Sequence, residues 1–264
     1  MKIIFIGDLV GKIARKALKE VVPHWRKKYK PDFVIANGEN VAHGLGMTKS
    51  TLNEVLAAGV DVVTSGDHAF DKEEEENIFE TKPNVLRPAN FPPQVVGHGE
   101  FLAVDSQKTL LVINLIGRVF MKQNYDCPFR KLDEILKKYA DKKPGGILVD
   151  MHAEASSEKI ALGFYADGRV SAVVGTHTHV PTADAKILPK GTAFVGDVGM
   201  VGAVDSVIGD DKQAIINAFL NQSKLRIEPV EEGVCQVNAV LLEIDEKTGK
   251  AKNIKRIDEE AYID

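Results

Sequence analysis

The amino-acid sequence alternates short apolar runs with longer segments in which apolar residues recur at helical spacing. Short runs rich in β-branched residues predict buried strands, and the longer segments predict helices that pack against them. Strands that alternate with helices form parallel βαβ units, so this pattern favours an α/β fold. In the first half of the chain, the predicted strands are residues 2–8, 33–37 and 60–65, and the predicted helices are residues 11–29, 48–58 and 71–80.

The second half of the chain predicts another cluster of strands. Residues 101–104 and 109–115 are two β-like runs on either side of a short polar turn, which is typical of an antiparallel hairpin. Two clusters of strands predict a layered α/β sandwich, in which two mixed β-sheets are flanked by helices. The other predicted elements are strands at 146–151, 171–175 and 192–196, helices at 130–142 and 157–165, and a closing hairpin of residues 236–244 and 252–257.

Composition narrows the class of protein. The 264 residues, 44% of them hydrophobic, can bury one large core, so we expect a single domain over residues 1–264. The net charge of -4 and the scattered basic residues argue against binding to duplex nucleic acid.

Cys127 and Cys235 lack the spacing of a metal site, which predicts free thiols in a reducing compartment. The N-terminal apolar run is too short for a signal peptide, and other apolar runs are too short for a membrane span, so we expect a cytoplasmic protein.

Side chains that can bind metal ions stand where five of the predicted strands end. They are Asp8, the pair Glu39 and Asn40, the pair Asp67 and His68, His152, and the pair His177 and His179. Ligands of parallel α/β sheets bind outside the carboxyl ends of the strands, so all five groups are expected to meet in one crevice. Each group alone has a simpler explanation, such as a helix cap for Asp8 or a hydrogen-bonded core histidine for His152. Their repetition at five strand ends favours a metal site.

The types of ligand narrow the choice of metal. Carboxylates, an amide oxygen and imidazoles without a thiolate suit Fe, Mn or Zn, and affinity order alone does not choose among these three. About six ligands are too many for one catalytic ion that keeps an open position. Two ions about 3.5–4 Å apart would use all of these ligands and would hold both the attacking and the leaving oxygen of an in-line displacement. The sequence therefore predicts a centre of two divalent or transition-metal ions.

The order of these motifs resembles that of a known superfamily. Gly7-Asp8, Gly38-Glu39-Asn40, Gly66-Asp67-His68, His152 and the Gly-Thr-His-Thr-His of residues 175–179 follow the motif series of the calcineurin-like metallophosphoesterases. The stretches NGENVAHG (37–44), RPANFP (87–92), HAEA (152–155) and VGTHTHV (174–180) are similar to the YmdB-type bacterial branch, and the similarity covers essentially the whole chain. This resemblance implies the calcineurin-like metallophosphoesterase fold and a 2',3'-cyclic-nucleotide 2'-phosphodiesterase with a di-iron centre.

The resemblance also implies a role for each motif residue. Asp8, Asn40 and His179 would hold one metal ion, Asp67, His152 and His177 would hold the other, and Glu39 would bridge the two. His68 would protonate the departing alkoxide, a task that suits imidazole at neutral pH. The alternative for His68 is a residue that only orients Asp67.

Two positions depart from the pattern of the superfamily. Val10 stands where many calcineurin-like enzymes carry the histidine of an Asp-x-His motif, and the similar branch supplies Asn40 in its place. Position 67 is usually Asn, so Asp67 adds a carboxylate to the centre. We expect this extra negative charge to hold a metal ion more firmly and to weaken the Lewis acidity of the centre.

Two other functions are compatible with the sequence. The same metal core can act on another small phosphoester, because specificity depends on cavity walls that the sequence does not identify. The second alternative is a metal-containing regulator that binds a nucleotide with little turnover, although His68 favours an enzyme. Arg118 is either a phosphate-binding residue or a surface ion-pair residue. The expected partner is a small phosphodiester or nucleotide, and a homo-oligomer is compatible with the sequence.

Overall fold

The computed structural model describes residues 1–225 and 228–264, and their strands and helices alternate through most of the chain. The strands are β1 (Lys2–Leu9), β2 (Phe33–Asn37), β3 (Val62–Thr64), β4 (Glu100–Asp105), β5 (Lys108–Ile116), β6 (Gly146–His152), β7 (Ala172–Thr176), β8 (Lys186–Ile187), β9 (Ala193–Val195), β10 (Met200–Ala203), β11 (Gly233–Val237), β12 (Ala239–Ile244), β13 (Ala251–Arg256) and β14 (Glu259–Ile263). The helices are α1 (Gly11–Tyr29), α2 (Lys49–Ala57), α3 (Glu74–Thr81), α4 (Pro128–Lys138), α5 (Ser156–Ala166) and α6 (Lys212–Asn221), with a short 3₁₀ helix at Ala140–Lys142.

The described strands form two mixed sheets, as predicted. In the larger sheet, β1 runs parallel to β2 and, at its end, to β10, while β12 pairs with β1 in the antiparallel direction. The full order is β13-β12-β1-β10-β11-β14, with β2 and β3 continuing from β1. The smaller sheet has the order β4-β5-β6-β7-β9-β8, and β5, β6, β7 and β9 are parallel.

Three apolar layers hold the two sheets and the helices together. Phe5 and Ile35 of the larger sheet pack against Val112 and Val174 of the smaller sheet. A second layer, which includes Trp25, joins the other face of the larger sheet to α1, α2 and α3. A third layer joins the smaller sheet to α4 and α5. Strands buried on both faces carry nearly continuous apolar runs, which explains the unbroken run in β1.

The structure corrects the C-terminal prediction. Residues 236–244 are not one strand, because the chain changes its pairing partners within the larger sheet at Asn238. It pairs with β10 before this residue and with β1 after it. There the side-chain oxygen of Asn238 accepts a hydrogen bond from the Met200 backbone N–H at 3.2 Å, and its amide group donates to Asp258 at 3.2 Å. These side-chain hydrogen bonds interrupt the pairing between strands at Asn238. As a result, β11 pairs with β10 and β14, while β12 pairs with β1. The predicted hairpin with residues 252–257 is the pair β12 and β13.

Smaller differences from the prediction concern the ends of elements and two elements that were not predicted. The helix predicted at 130–142 ends at Lys138, and the strand β10 and helix α6 had not been predicted. Cys127 and Cys235 are free thiols, as predicted. Among the described residues, none of the helices combines the length and apolarity that crossing a bilayer requires.

Candidate metal centre

The predicted site residues of both sheets meet in one crevice. The carboxyl ends of β1, β2 and β3 in the larger sheet lie beside those of β6 and β7 in the smaller sheet. All eight predicted residues lie there: Asp8, Glu39, Asn40, Asp67, His68, His152, His177 and His179. Four of them, Glu39, Asp67, His152 and His177, each offer a nitrogen or oxygen atom, and these atoms all lie within 4.8 Å of one another. The strand-end pattern therefore located one shared site.

The tightest group surrounds one imidazole nitrogen. The Nε2 atom of His152 lies 3.1 Å from both Glu39 Oε1 and Asp67 Oδ1, and 3.0 Å from His177 Nδ1. The Nδ1 atom of His177 also lies 3.2 Å from Asp67 Oδ1. Carboxylate oxygens and imidazole nitrogens that face one another at these distances are the donor set of a divalent transition-metal ion.

Asn40, His179 and Asp8 adjoin this group. Asn40 Nδ2 lies 3.3 Å from Glu39 Oε1 and 3.1 Å from His179 Nε2. The carboxylate of Asp8 is fully buried, and its Oδ2 accepts a hydrogen bond from the His177 backbone N–H at 3.2 Å. The other oxygen, Oδ1, is buried with no hydrogen-bond partner among the described residues. An unpartnered buried carboxylate oxygen is costly, and a cation beside it would remove that cost, so this donor set fits a metal ion.

Each histidine of the centre has an acceptor beside its outward-facing nitrogen. The Nδ1 atom of His152 lies 2.9 Å from Thr176 Oγ1, and the Thr176 hydroxyl donates to Asp150 Oδ1 at 2.7 Å. The Nδ1 atom of His179 lies 2.7 Å from the carbonyl oxygen of Ile208. A proton held on the outer nitrogen leaves the inner nitrogen with a free lone pair, which is the form of histidine that binds metal ions.

The electrostatics of the centre are those of a site that attracts cations. Burial raises the pKa of Asp8 well above its ordinary value, and burial likewise raises the pKa of Asp150 to about 6. Burial also opposes ionisation of Glu39 and Asp67. For Glu39 the adjacent His152 outweighs it, and for Asp67 His152 and His177 together outweigh it, so the pKa of both carboxyls is lowered. Burial disfavours the cationic form of His152, yet the charge of Glu39 and the hydrogen bonds to both carboxylates raise its pKa well above the ordinary value. The carboxyl groups of Asp8, Glu39, Asp67 and Asp150 thus lie at or beside the centre, a concentration of acidic groups that favours a divalent ion.

The loop that carries His177 and His179 has a strained backbone. Both residues have positive φ angles, 100° and 63°, which are unfavourable for residues other than glycine. Asp197 holds this loop, since its Oδ2 accepts hydrogen bonds from the Thr178 backbone N–H at 3.1 Å and from the Thr178 hydroxyl at 2.7 Å. The ammonium group of Lys159 lies 2.8 Å from Asp197 Oδ2 and donates to the Thr176 carbonyl at 3.1 Å. The loop is therefore fixed by a buried ion pair.

Sequence reasoning missed Lys159 and Asp197. Asp197 directly follows the predicted strand 192–196, so the strand-end signal that found the other residues applied to it as well. Lys159 lies within α5 and carries no such signal. Gly66 is also required, because a Cβ atom there would lie 2.2 Å from His152 Nε2 and 2.4 Å from Glu39 Oε2.

A cavity of about 320 Å³ opens onto the centre. Its walls include Glu39, Asn40, His68, Glu154, His177 and His179. The backbone N–H of His68 donates to Glu39 Oε2 at 3.2 Å, and its ring Nδ1 lies 2.8 Å from Asp71 Oδ2. Arg118 is exposed and lies outside the cavity walls among the described residues, while its backbone N–H donates to Glu158 at 3.0 Å. The ring of His68 thus lies in the cavity wall, with Asp71 beside its Nδ1.

Glu75, in α3, lies beneath the loop 38–47 that carries Glu39 and Asn40. It is fully buried, its Oε2 accepts a hydrogen bond from the Lys72 backbone N–H at 2.8 Å, and burial raises its pKa to about 7. The folded protein therefore holds a proton that the unfolded chain releases near pH 4.5, so the free energy of unfolding falls as pH rises from about 4.5 to about 7.

Glu75→Gln is expected to remove this pH dependence and to stabilise the protein at pH 8 by about 3 kcal/mol relative to the wild type. Urea unfolding of both proteins at pH 5 and pH 8 measures the effect. Glu76→Gln, on the exposed side of α3, is the matched control and should leave the pH dependence unchanged. An equal loss of stability between pH 5 and pH 8 in Glu75→Gln would contradict the prediction.

Solved structures with the same architecture include hydrolases. A crystal structure of a novel phosphatase from Mycoplasma pneumoniae matches with a TM-score of 0.92 and 33% identity, covering 100% of this chain and 94% of that one. The NAD nucleotidase of Haemophilus influenzae matches with a TM-score of 0.59 at 13% identity, covering 100% of this chain and 56% of that one. The protein thus has the calcineurin-like metallophosphoesterase fold predicted from its motifs.

Comparison of sequences identifies the family of this protein more specifically than comparison of folds. A curated relative, the 2',3'-cyclic-nucleotide 2'-phosphodiesterase of Bacillus subtilis (strain 168), is 48% identical over 257 residues, which cover 97% of this chain and 96% of that protein. The model of the YmdB-like protein family matches residues 4–257. With a family match over nearly the whole chain and a metal-binding group at the carboxyl ends of its parallel strands, this protein belongs to the YmdB-like family.

Proposed function

We propose that this protein hydrolyses 2',3'-cyclic nucleotides at a centre of two transition-metal ions, breaking the bond between phosphorus and the 2'-oxygen. The observation that carries this proposal is that Glu39 contacts members of both proposed ligand sets. Its Oε1 lies 3.1 Å from His152 Nε2 and 3.3 Å from Asn40 Nδ2. Glu39 would therefore bridge one ion held by Asp67, His152 and His177 and a second ion held by Asp8, Asn40 and His179. The activity named for the Bacillus subtilis relative supports the choice of substrate.

The residues of the site suit two ions of Fe, Mn or Zn. Two bound ions would supply positive charge that polarises the phosphoryl oxygens and activates water. The protein's own contribution is to fix the donor atoms in place, since most of the ligands are buried and the outer nitrogens of His152 and His179 have acceptors. The cavity of about 320 Å³ is within the size range of small-ligand sites, about 300–1,000 Å³.

His68 is proposed as the general acid. It lies in the cavity wall, and Asp71 Oδ2, 2.8 Å from its Nδ1, fixes the orientation of the ring. Imidazole is well suited to proton transfer at neutral pH, and a protonated ring beside the leaving group would deliver a proton to the 2'-oxygen. Asp71 would act through His68 by holding it in this position.

We also propose that the protein works in the cytoplasm as a single domain over residues 1–264. The free thiols of Cys127 and Cys235 support a reducing compartment. Burial raises the pKa of Cys235 to about 12, which makes this thiol unsuited to nucleophilic catalysis.

A substrate panel with metal analysis on the same samples tests the function. We expect 2',3'-cyclic AMP to be converted to 3'-AMP faster than linear diesters or monoesters, with close to two metal ions per chain. His68→Ala should lower kcat by about 10²–10⁴-fold while both ions remain bound. His24→Ala, at an exposed position of α1, is the matched control and should keep full activity.

Three outcomes would contradict parts of the proposal. Near-wild-type turnover by His68→Ala would remove the general-acid role. A protein that holds two ions and binds the nucleotide but hydrolyses none of the panel would be a regulator instead of an enzyme. Faster turnover of a different phosphoester would change the substrate but keep the class of reaction.

A further inference from the structure

His177 differs from the other two histidines of the centre in the partner of its outer nitrogen. His152 has a threonine hydroxyl at this position and His179 has a backbone carbonyl, both of which are neutral. The inner nitrogen of His177 is Nδ1, and its outer nitrogen, Nε2, lies 3.2 Å from the carboxylate oxygen Oε2 of Glu154. Glu154 thus occupies the position that a neutral acceptor fills for the other two rings.

Glu154 lies close in the chain to two other residues at the centre. Asp150 and His152 belong to the end of β6, and Glu154 follows His152 by two residues. Asp150 accepts a hydrogen bond from the Thr176 hydroxyl that contacts His152, so residues 150–154 support two of the three histidines. Helix α5 begins directly after Ala155, which fixes the backbone beyond Glu154.

The inner nitrogen of His177 also has a carboxylate beside it. Its Nδ1 lies 3.2 Å from Asp67 Oδ1, the same distance that separates Nε2 from Glu154. A neutral imidazole carries one proton, and without Glu154 the carboxylate of Asp67 would attract that proton to Nδ1. The lone pair would then face away from the centre, and the proton would have to move to Nε2 before His177 could bind a metal ion there, which weakens binding.

A half-exposed carboxylate in the wall of this cavity is unfavourable for binding an anionic substrate. The contact between Glu154 and His177 provides a reason for a carboxylate at this position despite that cost. We propose that Glu154 is a positioning residue that holds the proton of His177 on Nε2, so that Nδ1 presents its lone pair to the metal ion. This inference rests on the proposed function of the crevice as a metal centre.

Metal affinity is the first measurement. Titration of the metal-free full-length protein with Zn²⁺ is expected to show that Glu154→Ala binds one of two ions about 10–100-fold more weakly, with the other ion little changed. Glu154→Gln keeps an acceptor oxygen and should recover most of the lost affinity. Glu20→Ala, at an exposed position of α1, is the matched control. Equal losses in the Ala and Gln variants would overturn the proposal and would indicate that Glu154 binds the metal ion through its charge.

The second measurement follows the proton itself. In metal-free protein labelled with ¹⁵N-histidine at pH 8, nitrogen chemical shifts should show the proton of His177 on Nε2 in the wild type and a shift of population to Nδ1 in Glu154→Ala. An unchanged tautomer would overturn the proposal. Neither measurement uses turnover, so a failure of the phosphodiesterase proposal appears in the substrate panel alone, while a failure of the Glu154 proposal appears here.

Discussion

Glu39→Ala is expected to cost more metal and more activity than the loss of any other single ligand. One oxygen of this carboxylate lies 3.1 Å from His152 Nε2 and 3.3 Å from Asn40 Nδ2, and the other accepts the His68 backbone N–H. A bridging carboxylate serves both ions and reduces their mutual repulsion, so its removal weakens both. We expect the affinity for each ion to fall by more than the roughly 10–100-fold that is typical for partners outside the ligand set.

Variants of the neighbouring ligands provide the comparison. Asn40→Ala and His177→Ala should each weaken one ion and leave the other bound, which elemental analysis of dialysed samples measures. Glu39→Gln separates charge from shape, because it keeps the size of the side chain and removes the negative charge. Retention of two ions by Glu39→Ala would show that Glu39 is not the bridge.

Lys159→Met is expected to destabilise the folded protein by about 3–5 kcal/mol. Lys159 and Asp197 are 2% and 1% exposed and lie 2.8 Å apart, so removal of the ammonium group leaves a buried carboxylate without its counter-charge. The double variant Lys159→Met/Asp197→Asn removes both charges and should recover part of that stability, which urea unfolding measures.

The double variant also separates stability from site geometry. An asparagine side chain has one acceptor oxygen where Asp197 has two, so either Thr178 or the Gly199 backbone N–H loses its acceptor. Metal affinity should therefore stay reduced even where stability recovers. Lys12→Met, which breaks the exposed ion pair with Glu231, is the control and should cost no more than about 1 kcal/mol. A cost for Lys159→Met as small as that of Lys12→Met would contradict the prediction.

Predictions based on local sequence succeeded where burial follows a simple pattern. Strands β1 and β2 are buried on both faces, so their apolar runs were clear, and α1 has a regular apolar face. Helix α6 has apolar residues around much of its surface, and Phe219 and Leu220 are exposed, so periodicity did not identify it. The break at Asn238 depends on partners far away in the chain, which a local pattern does not contain.

The sequence by itself determined the type of fold, the kinds of ligand and the edge of the sheets where they gather. These properties depend on local sequence, because the residues of a strand and the side chain that follows them are enough to predict where the strand ends. Which nitrogen of each histidine faces the centre was decided only by the tertiary structure. The contact between Asp8 and the His177 backbone joins residues 169 positions apart on the two sheets. Glu154, Lys159 and Asp197 act through contacts between strand ends of the smaller sheet and helix α5. Such contacts depend on how the strand ends are brought together, and a residue's own neighbours in the sequence do not specify that arrangement.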